Sequence, residues 1–175
     1  GRDLISALLS AAMPALDSVD ATGIIALVTE DWVRQTLDGL SFAESDKIIS
    51  YVRRGTPPSE PINPEIVLRR ATPADTDTIL RLNALAFSPP WRYDTAKTLS
   101  WLLTSDHPML AEREGLPVGF AITTGGANGD YAHLIRVGTD PAAQGKGVGK
   151  KLVLDAIRYA GTRGYSGLAL NTQES

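Results

Sequence analysis

Between Val137 and Lys151 the chain reads Val-Gly-Thr-Asp-Pro-Ala-Ala-Gln-Gly-Lys-Gly-Val-Gly-Lys-Lys. Glycines stand at alternate positions 145, 147 and 149, and Lys146, Lys150 and Lys151 are interspersed among and after them. Glycine lets backbone approach a ligand closely, and successive backbone N–H groups make an anion-binding concavity. A helix starting near Gly147 adds free N–H groups and a partial positive charge. The chemistry these residues suit is the grip of a diphosphate.

Three phosphate-binding patterns compete for this stretch. A Walker loop requires G-x-x-x-x-G-K-[ST], but Gln144 stands at the first glycine and Lys151 at the hydroxyl position. A dinucleotide fingerprint requires G-x-G-x-x-G with an acid about 20 residues on, and Lys150 breaks that spacing. The third, Q/R-x-x-G-x-G/A, is met by Gln144, Gly147 and Gly149, led into by Val137 through Asp140-Pro141.

The turn has to be held by a strand before it and a helix after it. Tyr131 to Thr139 reads as that strand and Gly147 to Tyr159 as that helix, with Gly161 and Gly164 beyond its end. Upstream, Ile66 to Arg70 is a strand. Thr72 caps a helix that has Pro73 at its first position and Ile79, Leu82 and Leu85 on its apolar face. Ser88-Pro-Pro-Trp91 breaks that helix, and a second runs from about Thr95 to Leu103. Met109 to Arg113 and Pro117 to Thr124 are strands joined at Glu114-Gly115-Leu116, and a further turn covers Gly125 to Asp130. A strand begins at Leu168 to Asn171. Consecutive strands predict an antiparallel meander, and the closing strand–helix–strand a parallel crossover. The fold class is mixed α/β.

Residues 66–175 resemble the GNAT N-acetyltransferases in motif and in order of elements, short of the end of that domain. The resemblance implies acetyl-CoA as co-substrate and an amine acceptor, joined by direct attack in a ternary complex. It gives backbone groups of Val137 and Thr139 to the pantetheine arm and N–H groups from Gly145, Lys146, Gly147, Val148, Gly149 and Lys150 to the diphosphate. It places a strand-splaying bulge at or near Gly138 and a cofactor contact at Asn171. A backbone N–H near Val137 would polarise the thioester carbonyl. His133, on the central strand, and Tyr131, on the same face, are the candidates for proton transfer. Trp91, Tyr93 and Trp101 follow the first helix, where the family lines its acceptor pocket. Glu112, Glu114, Arg69 and Arg70 read as solvated or sheet-edge charges.

The first segment ends in Gly55-Thr-Pro-Pro-Ser-Glu-Pro-Ile-Asn-Pro64, a linker, since so many prolines suit neither helix nor central strand. Before it, Leu4 to Ala12 have helical spacing, with Pro14 expected to end or kink the helix. Gly23 to Val28 reads as a buried strand. Thr29 or Asp31 would cap a helix over Trp32 to Leu37, and Lys47 to Arg53 is a strand. Gly1-Arg-Asp-Leu4 parallels Gly149-Lys-Lys-Leu152, and Ala26-Leu-Val-Thr29 parallels Ala169-Leu-Asn-Thr172. The segment 1–54 thus resembles the second half of the same fold, a degenerate first repeat with Val28 opposite Asn171. Leu37 stands where the family has its acidic Tyr. Residues 55–65 are the linker and 66–175 the second repeat of a tandem protein trimmed at both ends. Either elements after Ser175 complete the second repeat, or residues 30–54 fold back to do so. Duplicate helix and strand copies argue against the second.

Composition narrows the rest. Apolar residues make up 43%, charged residues 21%, and net charge is −3, an acid surplus unlike that of a nucleic-acid binder. With no cysteine and two histidines, thiolate chemistry and a metal site are not expected. No apolar run reaches the roughly 20 residues that span a bilayer. The chain starts at Gly1 without an initiator Met or leader pattern, so a cytoplasmic location and a longer parent are expected. The family resemblance leaves room for a homodimer.

Overall fold

The computed structural model describes residues 2–18, 23–55, 59, 61–126 and 129–173. Part of the predicted linker and of the Gly125 to Asp130 turn lies outside them. Two compact units divide near Lys47, one of residues 1–47 and one of residues 48–174.

In the first unit, α1 (Arg2–Asp17) and α2 (Asp31–Asp38) are the regular elements among the described residues. Pro14 lies inside α1 rather than ending it. Glu30, not Thr29 or Asp31, is the N-cap of α2, without a side-chain cap bond. Leu37 is buried, and its carbonyl accepts from Phe42 N–H at 3.1 Å. Gly23 to Val28 does not form the predicted strand and is exposed. A short β-branched run becomes a strand only where another strand takes its backbone groups, and among the described residues none does.

The second unit is a six-stranded sheet in the order β1-β6-β5-β4-β3-β2. Its strands are β1 (Ile48–Arg54), β2 (Ile66–Arg70), β3 (His107–Arg113), β4 (Leu116–Gly125), β5 (Ala132–Thr139) and β6 (Gly167–Gln173). β2 to β5 form the antiparallel meander, and β5 and β6 are parallel. β1, from upstream of the proline-rich stretch, pairs antiparallel with β6 along its whole length, Ile48 opposite Gln173 and Arg54 opposite Gly167. This part of the first segment does fold back, closing the sheet against β6.

α5 (Val148–Thr162) covers one face, where Val148, Leu152, Ala156 and Ala160 pack on Ala111, Ala121, Ala132, Leu134 and Leu168. Gly161 is inside this helix rather than beyond it. On the other face, α3 (Thr76–Ala86) and α4 (Thr95–Thr104) pack Ile79, Leu82 and Leu102 on Leu110, Phe120 and Ile122. Thr72 starts α3 through a capping box with Asp75, and Pro73 opens the intervening 3-10 turn. Asp94 caps α4 by accepting from Lys97 N–H at 2.7 Å. Between β3 and β4, Glu114 and Gly115 both have positive φ, 53° and 76°, and form a two-residue hairpin turn, one residue shorter than the Glu114-Gly115-Leu116 turn the sequence suggests because Leu116 already opens β4.

Candidate functional site

β5 carries the irregularity that opens the sheet. Its register against β4 slips between Arg136 and Leu134, leaving Ile135 as the extra residue of a bulge. Side-chain directions agree: Leu134 and Val137 pack on the α5 side, while Ile135 joins the opposite core. The bulge is therefore three residues before Gly138, which the sequence had favoured. Gly138 is paired regularly with Phe120, and its missing side chain serves packing: a Cβ there would lie 2.7 Å from the Phe120 ring and 3.2 Å from that of Phe87.

Beyond the bulge β5 parts from β6. The two pair only from Ala132 to Leu134, against Leu168 to Leu170. β6 continues to Gln173 on β1 alone, and the edge of Ile135 to Thr139 that faces β6 has no strand partner among the described residues. The result is a wedge-shaped slot whose β5 wall includes Val137 and Thr139. Asn171 stands on the β6 wall, its Oδ1 accepting from Ser50 Oγ at 2.8 Å.

The Gly-rich turn closes the mouth of β5. Asp140 caps a short 3-10 turn by accepting from Ala142 N–H, and its own N–H is held by Val118 O at 2.9 Å. Gln144 is extended, Gly145 and Gly147 have φ of 74° and 86°, and α5 starts at Val148. Only glycine takes those two conformations without cost. The N–H groups of Gly145, Lys146, Gly147, Val148 and Gly149 have no protein acceptor among the described residues; the bond that crosses the cap runs from Lys151 N–H to Gly147 O at 3.0 Å. Five consecutive free donors at a helix N-terminus suit an anionic ligand, so the residues fit the diphosphate of coenzyme A. Val148 is buried and fixes the helix start, while Gly149 leaves ordinary room, a Cβ there lying 3.5 Å from Thr139 Oγ1.

The lysines are more engaged than the sequence suggests. Lys151 Nζ donates to Asn63 O at 3.1 Å and to Ile66 O. Lys146 Nζ donates to Ala142 O at 3.0 Å. The strap Pro61–Glu65 borders a cavity of about 440 Å³ shared with Arg113, Gly145 and Lys150, and no residue of β6 lines it.

Of the proton-transfer candidates, His133 is half-buried, and its side chain has no hydrogen bond or ion pair among the described residues. Tyr131 is tied to β1: its hydroxyl accepts from Arg54 Nε at 2.9 Å. On the α3 side of the bulge, Arg136 lies between the rings of Phe87, at 3.4 Å, and Tyr93, at 4.2 Å. Its Nη2 donates to Asn83 Oδ1 at 2.8 Å and to Trp91 O. Burial pushes this guanidinium below the usual arginine range, and Tyr93 partly offsets the effect. The segment Phe87–Tyr93 is thus fastened to β5 at the bulge through Arg136. Trp101 packs into the core beneath, under Lys97.

Arg69 and Glu112 are not isolated solvated charges. Arg69 Nε donates to Glu112 Oε1 at 2.7 Å, and its Nη1 and Nη2 grip Asp75 at 3.0 and 2.7 Å. Those bonds, with Thr72, hold the Asp75 carboxyl down to about 2. Arg70 donates to Asp106 O, and Glu114 pairs loosely with Arg113 at 3.8 Å. Sequence reasoning also missed His107, whose Nε2 sits 2.7 Å from Asp155 Oδ2 while its ring stacks on Tyr159. No group of three metal-ligating side chains occurs among the described residues, and no helix there is long and apolar enough to cross a membrane.

The acetyltransferase (GNAT) family model matches residues 76–175. The chain belongs to the GNAT acetyltransferase family. Its sheet, splayed strands and glycine turn are the mixed α/β fold of that family. Mycothiol acetyltransferase of Amycolatopsis mediterranei is 32% identical over 117 residues, which cover 57% of this chain and 38% of that protein. The chain thus spans well under half the length of this relative. A GCN5-related N-acetyltransferase from Sphaerobacter thermophilus superposes with a TM-score of 0.68 at 18% identity, covering 85% of this chain and 49% of that one. The PaiA N-acetyltransferase of Thermoplasma acidophilum, solved with coenzyme A, superposes with a TM-score of 0.50 at 21% identity, over 57% and 74% of the two chains.

Proposed function

We propose that this GNAT chain binds acetyl-CoA and transfers its acetyl group to a primary amine of a small molecule, amino acid or peptide. The observation that carries the reading is the junction of the β5–β6 slot with five free N–H groups at the turn. Bound there, acetyl-CoA supplies an activated thioester. The turn's N–H groups hold the diphosphate, while Val137, Thr139 and Asn171 flank the pantetheine arm. An amine held on the Arg136 side forms its bond to the acetyl carbon as the carbon–sulfur bond breaks. His133 and Tyr131 are the residues we assign to accept the amine proton, His133 first, because Tyr131 is engaged by Arg54. Positioning both reactants supplies much of the acceleration.

The similarity to mycothiol acetyltransferase makes mycothiol-related amines the first acceptors to try. We also read residues 1–54 as the tail of a degenerate preceding repeat, 55–65 as a linker and 66–175 as the second repeat. The parallel of Arg2–Leu4 in α1 with Lys150–Leu152 in α5 supports that reading, while the exposed, irregular Gly23–Val28 segment counts against the parallel with β6.

The test is release of coenzyme A from acetyl-CoA in the presence of an amine panel, with the acetylated product identified by mass. Product that depends on both reactants supports the enzyme. Tight acetyl-CoA binding with no transfer to any amine would instead favour a non-catalytic acyl-CoA-binding module.

A further inference from the structure

Asn63 sits at the end of the proline-rich stretch, where the sequence suggests only a spacer. Both ends of its carboxamide and its backbone carbonyl are used. Its Oδ1 accepts from Glu65 N–H at 2.9 Å, its Nδ2 donates to Lys146 O at 3.1 Å, and its carbonyl accepts from Lys151 Nζ at 3.1 Å. The Glu65 contact fixes which end of the carboxamide is oxygen, so the nitrogen must face the turn. Lys151, from the first turn of α5, clamps the strap from the other side through Asn63 O and Ile66 O.

The consequence for the turn follows from peptide geometry. The Lys146 carbonyl and the Gly147 N–H belong to one planar trans unit and point in opposite directions. Drawing the carbonyl onto Asn63 turns the Gly147 N–H away from the strap. That N–H has no protein acceptor among the described residues, and Gly145 and Gly147, both with positive φ, stand on either side of Lys146, where the backbone has most freedom to rotate. A donor fixed before the ligand arrives does not lose its freedom on binding.

We infer that Asn63 is a positioning residue for diphosphate recognition, orienting the Lys146–Gly147 peptide so that Gly147 N–H is preset toward the ligand. Lys151 acts with it by holding the strap in place, rather than as a free phosphate-binding cation. The inference rests on the acetyl-CoA reading of the turn and adds to it a residue from outside the glycine motif.

The test compares two ligands on the full chain by calorimetric titration: acetyl-CoA, which carries the diphosphate, and acetyl-pantetheine, which lacks it. Asn63→Ala removes the carboxamide. Asn63→Ser keeps a hydroxyl able to accept from Glu65 N–H but does not reach Lys146. Both are expected to weaken acetyl-CoA by about three- to tenfold, the loss of one oriented hydrogen bond, and to leave acetyl-pantetheine unchanged. Lys151→Met is expected to show the same selective loss. Asn63 variants that bind acetyl-CoA as tightly as the parent, or that lose both ligands equally, overturn the inference. A parent chain that binds acetyl-CoA no better than acetyl-pantetheine overturns it too, while leaving the slot in place. A parent that binds neither removes the acetyl-CoA reading and this inference together.

Discussion

Ser50 donates its hydroxyl to Oδ1 of Asn171 at 2.8 Å, across directly opposed positions of β1 and β6. A strand that precedes the proline-rich stretch therefore orients the carboxamide on the slot's β6 wall. Ser50→Ala should cost less than about 1 kcal/mol of stability, the range of one cross-strand pair. It should raise the acetyl-CoA dissociation constant in the same direction as Asn171→Ala, and by less. Urea melts and titrations of both variants check this. A Ser50→Ala loss larger than that of Asn171→Ala would show that β1 acts on the site by another route.

The two glycines of the turn should respond with opposite signs of stability. Gly147 has a φ of 86°, so Gly147→Val is expected to cost about 1–2 kcal/mol in backbone strain and to weaken acetyl-CoA. Gly149 lies within α5 with ordinary space for a methyl group. Gly149→Ala should raise stability by up to about 1 kcal/mol through helix propensity while still lowering cofactor affinity, because the methyl group sits where the ligand approaches. Thermal melts with and without acetyl-CoA separate the two effects.

Arg136 fastens the Phe87–Tyr93 segment through Asn83 and the Trp91 carbonyl. Arg136→Met keeps most of the stem but removes the donors to both acceptors, and is expected to cost about 1–3 kcal/mol. Arg136→Lys should not restore it, because an ammonium neither stacks flat between two rings nor reaches both acceptors in one plane. Faster amide exchange confined to residues 87–94 in Arg136→Met is the expected signature.

Asp75 supplies a pH dependence with a definite sign. Its folded pKa, about 2, lies below the ordinary carboxylate value because Arg69 bonds to it. A depressed carboxyl stabilises the fold above its unfolded pKa, near 4, and that contribution is lost as pH falls through the folded value. Arg69 is 41% exposed, so the contribution is reduced by screening. Asp75→Asn should be less stable than the parent at pH 6, and the difference should shrink between about pH 4 and pH 2. A gap that persists unchanged at pH 2 would assign the loss to packing.

Much of the second unit was legible because its signals are local. The Thr72-Pro73 start, the Glu114-Gly115 hairpin and the Gln144 to Gly149 turn each depend on residues close in sequence, and their chemistry is fixed by φ or by a missing N–H. What depends on distant partners was not. Gly23 to Val28 has the composition of a strand but finds no neighbour in the described chain. The bulge was expected at or near Gly138 and falls three residues before it, at Ile135, where the register against β4 is set by packing on both faces. Arg69 with Asp75 and Glu112, Arg136 with Asn83, and Asn63 with Lys146 join residues separated by an intervening element or more in most cases, and no local pattern announces such pairs. The return of β1 to β6 is the largest case: its strand was foreseen, its partner was disfavoured.

The central claim is that the slot and turn hold acetyl-CoA. The most direct test is the stability of the chain with acetyl-CoA, with ATP and NAD as controls. Acetyl-CoA at 100 times its dissociation constant should stabilise the fold by about 2.7 kcal/mol, with no comparable shift from either nucleotide. Stabilisation by ATP or NAD without stabilisation by acetyl-CoA would contradict the account.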